Sequence, residues 1–277
     1  MFQLKNTTRA TNAAITVKLE TSKKLDFENH LPPSFSDRRI SDRRRTQTSN
    51  FKKVTIVIPA LNEEQAIGSV IKEIPIDKLK KMGYGVEIMV IDNGSTDKTK
   101  YIANNHGAKV IVQPIKGYGN AYKAGFANAT GNIIATGDAD LTYPFSDLPK
   151  IIKKMEDENL DFITTDRLSN LQSGVMSRSH YFGNRLLQLM TKILFGLPCK
   201  DSQSGMWIFK RSILSELNIK SSGMPFSQEL KIEAYKNGFK CAEVPIAYRA
   251  RVGEVKLSTL KDGLGNMLQL INKRIFG

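Results

Sequence analysis

Two carboxylates one residue apart, Asp138 and Asp140, follow the short apolar run Ile133-Ile134-Ala135-Thr136. Such a run reads as a buried parallel strand, and ligands of open α/β sheets bind beyond the carboxyl ends of the strands. Paired hard oxygen ligands at that place suit Mg2+ or Mn2+, which also hold substrate phosphates. The same residues also make a plain polar turn into a following helix. Two other strand-like runs, Val54–Pro59 and Val86–Ile91, also end in polar turns, and these carry Glu63 and Asp92. In a parallel sheet the four acids share one edge. Acids brought together repel unless a cation or a donor-rich ligand joins them. A metal supplies charge, and a base and ribose supply N–H and O–H donors, so the set suits a nucleotide–metal site better than any one acid does.

The cations are more ambiguous. Arg249, Arg251 and Lys256 stand around Gly253. They read either as a solvated basic loop or as a clamp on phosphate, with bidentate bonds from arginine, a point charge from lysine and close backbone approach at the glycine. A diphosphate site at the strand ends favours the clamp. Other motifs carry less. Gly117-x-Gly119 lacks the third glycine of a dinucleotide fingerprint and does not follow the first strand. Asp138-x-Asp140-x-Thr142 also fits a Mg-dependent phosphatase of the haloacid dehalogenase type, although there the motif ends the first strand and here several precede it. His30, His106 and His180 are scattered without ligand spacing. Cys199 and Cys241 are far apart and form no ligand pair, which points to a reducing compartment.

The elements that must position these residues follow from periodicity. The chain has 277 residues, 40% of them hydrophobic, and a formal charge of +14. That charge fits nucleic acid, an anionic membrane or an anionic substrate without choosing among them. Residues 1–50 lack periodicity and hold Ser36-Asp37-Arg38-Arg39 and Ser41-Asp42-Arg43-Arg44-Arg45. They read as a disordered basic tail, either an electrostatic tether or a solvated extension. No run approaches the roughly 20 apolar residues of a membrane span, and no secretory segment follows Met1, so a cytoplasmic location is expected.

From residue 51 the pattern alternates strand and helix. Strands are expected over Val54–Pro59, stopped by the proline, then Val86–Ile91, Ala108–Val112, Ile133–Thr136, Leu160–Thr165 and Lys240–Tyr248, with a polar turn over Asp201–Met206 before Trp207-Ile208-Phe209. Asn62 is expected to cap a helix with Glu63 and Glu64 in its first turn. Further helices are expected from Tyr118 to Ala129, Phe145 to Met155, Tyr181 to Phe195 and Gln228 to Asn237. Over 257–277, Leu257, Leu260, Leu264, Met267, Leu268, Ile271 and Ile275 recur at the spacing of an amphipathic helix, which packs on the sheet or lies on a membrane. The fold class is α/β, with a doubly wound, mostly parallel sheet over residues 51–256.

The motifs in their order resemble glycosyltransferase family 2 and its GT-A fold. The resemblance rests on Thr55-Ile56-Val57-Ile58-Pro59-Ala60-Leu61-Asn62-Glu63-Glu64, Val90-Ile91-Asp92-Asn93-Gly94-Ser95-Thr96-Asp97, Lys116-Gly117-Tyr118-Gly119 and Asp138-Ala139-Asp140. Asp201-Ser202-Gln203-Ser204-Gly205-Met206 and Arg251-Val252-Gly253-Glu254-Val255-Lys256 resemble the polyprenyl- and dolichyl-phosphate sugar synthases. The resemblance implies a nucleotide-sugar donor, a divalent Mg2+ or Mn2+, and transfer with inversion to a polyprenyl or dolichyl phosphate. It implies that Pro59, Leu61, Glu63, Ile91, Asp92 and Asn93 line the nucleoside, with Ala139 between the two metal-binding aspartates. It implies that Asp138 and Asp140 hold metal and diphosphate, with Thr142 a further metal ligand, and that Arg167, Arg251 and Lys256 contact phosphate. Leu61 stands where tyrosine is frequent, Asn93 where a second aspartate is usual, Thr142 where mannosyl enzymes often have glutamine, and Val255 where serine is common. These departures lean towards a UDP-sugar over GDP-mannose. An anionic phosphate acceptor needs no general base. A sugar hydroxyl acceptor does, and Asp201 is the one candidate named for that role. Peripheral contact at the cytosolic membrane face is expected, and nucleic acid is not.

Overall fold

The computed structural model describes residues 52–254 and 259–276. Lys256, Val255 and the basic tail expected over residues 1–50 lie outside them. Among the described residues the chain forms one mixed sheet of seven strands with helices on both faces. In chain order these are β1 (Lys53–Ala60), α1 (Ile67–Glu73), α2 (Ile76–Lys81), β2 (Gly85–Asp92), α3 (Thr99–Asn105), β3 (Lys109–Val112), α4 (Tyr118–Asn128) and β4 (Ile133–Thr136). A 3-10 turn at Phe145–Asp147 leads into α5 (Leu148–Asp157), followed by β5 (Phe162–Asp166), α6 (Arg178–Phe195), β6 (Trp207–Lys210), α7 (Phe226–Lys236), β7 (Cys241–Pro245) and α8 (Thr259–Phe276).

The spatial order is β3-β2-β1-β4-β6-β5-β7. β1, β2, β3 and β4 run parallel, as do β5 and β7, while β6 runs antiparallel to both β4 and β5. Alternation along β1 divides the core. Val54, Ile56 and Ile58 pack with Ile67, Val70, Leu148 and Ile152 on one face. Val57 packs with Tyr122, Phe126, Phe226 and Leu230 on the other. The central strands are buried on both faces, which is why they read as continuous apolar runs.

Three expectations are corrected. Pro59 does not stop β1, which continues to Ala60 and pairs Pro59 with Ile91 of β2. The pairing of β1 with β4 ends at Val57 and Thr136, so Pro59 has a strand neighbour on one side only, where a missing N–H is tolerated. Asn62 caps no helix. It sits at φ 51, and α1 starts at Ile67 with no acid in its first turn. The last strand is shorter than expected, Cys241–Pro245, because Ile246 onward folds back over the strand ends.

Candidate active site

β1, β2 and β4 are parallel neighbours, so their carboxyl ends open on one edge. The loops that leave them are laced together. The Asn62 side chain accepts from the Thr96 backbone N–H at 2.8 Å, and the Ser95 hydroxyl accepts from the Asn62 N–H at 3.0 Å. Thr99 Oγ1 accepts from the Glu63 N–H at 2.8 Å. The left-handed Asn62 therefore turns the chain so that Glu63 enters the crevice, where it is buried.

Asp140 is also buried, and its two oxygens have different partners. Oδ1 accepts from the Thr142 backbone N–H at 3.1 Å and from the Thr142 hydroxyl at 2.6 Å. Oδ2 faces Arg251 Nη1 at 3.1 Å, and Nη2 of the same guanidinium meets Glu63 Oε1 at 2.6 Å. One arginine thus bridges two acids brought together by β1 and β4. Arg251 is carried there by backbone bonds from Arg249 N to Thr142 O and from Val252 N to Asp140 O, both 3.0 Å. Asp138 lies partly exposed beside them, with the Tyr118 hydroxyl 3.5 Å from Oδ1. Its enclosure by protein, and then the charge of Asp140, push its carboxyl up to about 7 despite Arg167 and Arg251. Among the described residues no three carboxylates, imidazoles or thiols converge on one point. A divalent ion held by one or two carboxylates and completed by phosphate oxygens fits this edge, since that is how Mg2+ is usually bound. Asp138 and Asp140 are the residues that would hold it.

Asp92 points to a second kind of ligand. It is 1% exposed, its Oδ1 accepts from the Ser95 N–H at 3.3 Å, and its Oδ2 has no hydrogen-bond partner. A buried carboxylate oxygen without a donor costs stability unless a ligand supplies one.

Several expected roles change. Thr142 is buried with its hydroxyl on Asp140, so it orients that ligand and is not placed as one itself. Asn93 is engaged on a loop: Oδ1 accepts from the Gly117 N–H at 2.7 Å, and Nδ2 donates to the carbonyls of Gln113 and Ile115 at 3.0 and 2.9 Å. It holds the 113–117 segment and presents no free polar atom to a nucleoside. Ile91 is fully buried, packed towards α4, and Ala139 is 3% exposed, so neither side chain lines a crevice. Pro59 and Leu61 remain half-buried at the rim. Arg249 is no phosphate clamp: its Nη2 lies on both oxygens of Glu73, at 2.9 and 2.8 Å, and on the Tyr143 carbonyl at 2.7 Å.

Asp201 is fully buried and grips Arg167 by two parallel bonds, Nε to Oδ2 at 2.7 Å and Nη2 to Oδ1 at 2.9 Å. Burial alone would raise the Asp201 carboxyl, but the charge and hydrogen bonds of Arg167 outweigh it and hold it below the ordinary carboxylate range. A sealed, ionised, bidentate carboxylate cannot serve as general base, which corrects the role named for it. Arg167 in turn lies 5.3 Å over the Tyr248 ring, so it braces the site wall as well as adding positive potential near Asp138.

Sequence reasoning missed the group behind that wall. Lys231 is buried, and its Nζ donates to the carbonyls of Ser202 and Ser204 at 2.8 and 2.7 Å. It fastens the 201–205 loop, whose Gly205 passes so close that a Cβ there would stand 2.4 Å from the Tyr118 hydroxyl and 3.5 Å from Asp138 Oδ1. Nothing in spacing distinguishes Lys231 from the exposed Lys236 of the same helix.

The sequence profile of glycosyl transferase family 2 matches residues 55–217. The chain belongs to that family. It is 36% identical over 212 residues to the low-salt glycan biosynthesis hexosyltransferase Agl6 of Haloferax volcanii, a match that covers 76% of this chain and 51% of the relative. This chain therefore spans about half the length of that relative. It is 35% identical over 214 residues to the dolichyl-phosphate hexose transferase of the same organism, covering 77% of this chain and 90% of the relative. Among solved structures, glucosyl-3-phosphoglycerate synthase from Mycobacterium tuberculosis, in complex with Mn2+, uridine diphosphate and glucosyl-3-phosphoglycerate, superposes with a TM-score of 0.62 at 23% identity, covering 88% of this chain and 85% of that one. The fold is thus the GT-A fold. The phosphatase reading is set aside, because family membership accounts for Asp138 and Asp140 as the fourth strand's end and not the first.

Proposed function

We propose that this protein transfers a hexose from a nucleotide-sugar, a UDP-sugar before GDP-mannose, to a polyprenyl or dolichyl phosphate, with inversion. One observation carries this reading. Arg251 joins Asp140 and Glu63 at the edge on which β1, β2 and β4 open, and the same strand ends carry Asp138 and the buried Asp92, whose Oδ2 has no hydrogen-bond partner. Asp92 would accept an N–H of the base. Asp138 and Asp140 would hold a divalent cation, which when bound stabilises the charge gathering on the leaving diphosphate. Thr142 fixes Asp140 in one orientation, so little reorganisation is left for the reaction itself.

The choice of acceptor is supported by the state of Asp201, the base named for a hydroxyl acceptor. Asp201 is engaged by Arg167, so the base once assigned to a hydroxyl acceptor is sealed. A phosphate oxygen is already anionic. It attacks the anomeric carbon from the face opposite the diphosphate, one C–O bond forms as the other breaks, and no proton moves. What such an acceptor needs is a cation, and among the described residues Arg251 stands at the crevice, held there by Asp140 and Glu63, which a bound cation or phosphate would have to release. The relative named a dolichyl-phosphate hexose transferase supports this choice. The protein would reach such an acceptor by peripheral contact with the cytosolic membrane face. No helix among the described residues is long and apolar enough to cross a membrane.

The test offers purified protein a nucleotide-sugar with either a short polyprenyl phosphate or a free oligosaccharide. An acid-labile lipid-linked sugar of inverted configuration is expected from the first. Arg251→Ala is expected to raise KM for the lipid phosphate or lower kcat. Glycosylation of the oligosaccharide alone, unaffected by Arg251→Ala, overturns the acceptor assignment.

A further inference from the structure

α6 and α8 each carry two apolar lines, and only one is used in the fold. Leu187 of α6 and Leu270 of α8 are buried together with Ile232 of α7, and Met190, Leu194 and Met267 close around them. The second line points outward. On α6 it is Phe182, Leu186, Leu189 and Ile193, and on α8 it is Leu264, Leu268, Ile271 and Ile275, all between 41% and 72% exposed. Both lines have the spacing i, i+4, i+7, i+11, which places each set on one side of its helix. Scattered exposed leucines need no explanation. Eight large apolar side chains in two matching lines on neighbouring helices do.

Charge decides what covers them. Arg178, Arg185 and Lys192 recur every seven residues beside the α6 line, and no carboxylate lies between Arg178 and Phe195. α8 ends in the exposed Arg274, and its single acid, Asp262, lies at the opposite end. A second copy of the chain across a two-fold axis would set these cations against one another. Anionic headgroups would neutralise them while the apolar lines enter the acyl boundary. We propose that the outward lines of α6 and α8 form a docking face for an anionic phospholipid bilayer. The face is tied to the site. Gln188 of α6 donates to the Cys199 carbonyl at 3.2 Å, and Asn266 of α8 donates to Gln203 Oε1 at 3.3 Å. Both bonds reach the segment that holds Arg167 and passes Asp138. The role of the face in presenting a lipid phosphate rests on the acceptor proposed above, but its affinity for a bilayer does not.

The experiment is co-sedimentation of the full chain with vesicles of phosphatidylcholine alone or mixed with phosphatidylglycerol. Binding to the anionic vesicles is expected. Both Phe182→Asp with Ile193→Asp and, separately, Arg185→Glu with Lys192→Glu should weaken it by about tenfold or more, with Tm and turnover of a short soluble polyprenyl phosphate unchanged. Since every variant keeps residues 1–50, any binding by that segment is constant across the set. Wild-type vesicle binding by both variants overturns the proposal. So does a concentration-dependent dimer that the apolar variant abolishes while its vesicle binding persists. If the variants lose vesicle binding but no lipid phosphate is ever glycosylated, the docking face stands and the acceptor reading fails.

Discussion

Asn93 stands where a second aspartate is usual, and its neighbours explain why an amide is needed. It must donate to two carbonyls and accept from one N–H. A carboxylate can do only the last and would face the oxygens of Gln113 and Ile115. Asn93→Asp should cost about 1–3 kcal/mol, read as a lowered Tm. Asp201 gives the sharper case. Asp201→Asn leaves a buried guanidinium without its counter-charge, at a cost of about 3–5 kcal/mol at neutral pH. The sign of its pH dependence follows from the lowered native value. Below the native value both states are protonated and the pair contributes nothing. As pH rises towards the ordinary 3.8, the unfolded state still binds the proton that the folded state has released, so stability rises and stays above it. Wild-type stability should therefore fall as pH drops below about 4, and denaturant titrations of Asp201→Asn should show a flatter acid limb. The acids Glu63, Asp92, Asp138 and Asp140 were legible in the sequence because each follows an apolar run. The partnership of Arg167 with Asp201 was not, since it joins two loops through the fold and leaves no local pattern.

At the level of elements, β1, β2 and β4 were legible because strands buried in the middle of a sheet need unbroken apolar runs, while the edge strand β3, with no buried residue, was legible from its short apolar stretch alone. What was not legible is β6, a four-residue run inserted antiparallel between β4 and β5. Its place depends on long-range pairing, and its residues fit a strand of either direction. The short α2 left no signal of its own, with one buried apolar residue, Leu79. The seat of α4 on the sheet shows how tight the layers are. A Cβ at Gly125 would stand 2.3 Å from Val57 Cγ1 on the central strand. Gly125→Ala should therefore lift α4 from β1 and β2 and cost about 1–3 kcal/mol, measured by chemical denaturation. Unchanged stability would mean that this layer yields more readily than its packing indicates.

For the whole molecule, order mattered more than composition. A charge of +14 left nucleic acid, membrane and anionic substrate equally open. The succession of strand-end acids, the small-residue helix and the late arginine loop singled out one architecture. Residues 49–277 form a compact unit by themselves. Removal of residues 1–50 should accordingly leave Tm and turnover of a soluble acceptor unchanged and reduce binding to anionic vesicles. Global unfolding of the shortened chain would show that the segment belongs to the core. The central claim, however, is that one sheet edge binds a nucleotide diphosphate through a divalent ion on Asp138 and Asp140. Calorimetric titration of UDP and GDP into wild-type and Asp140→Asn protein, each with Mn2+ and with excess chelator, tests it directly. The account predicts binding of one nucleotide to the wild type that Mn2+ strengthens by about tenfold or more, and no such gain in a variant of unchanged Tm. Equal affinity in chelator, or a full Mn2+ response in Asp140→Asn, would contradict it.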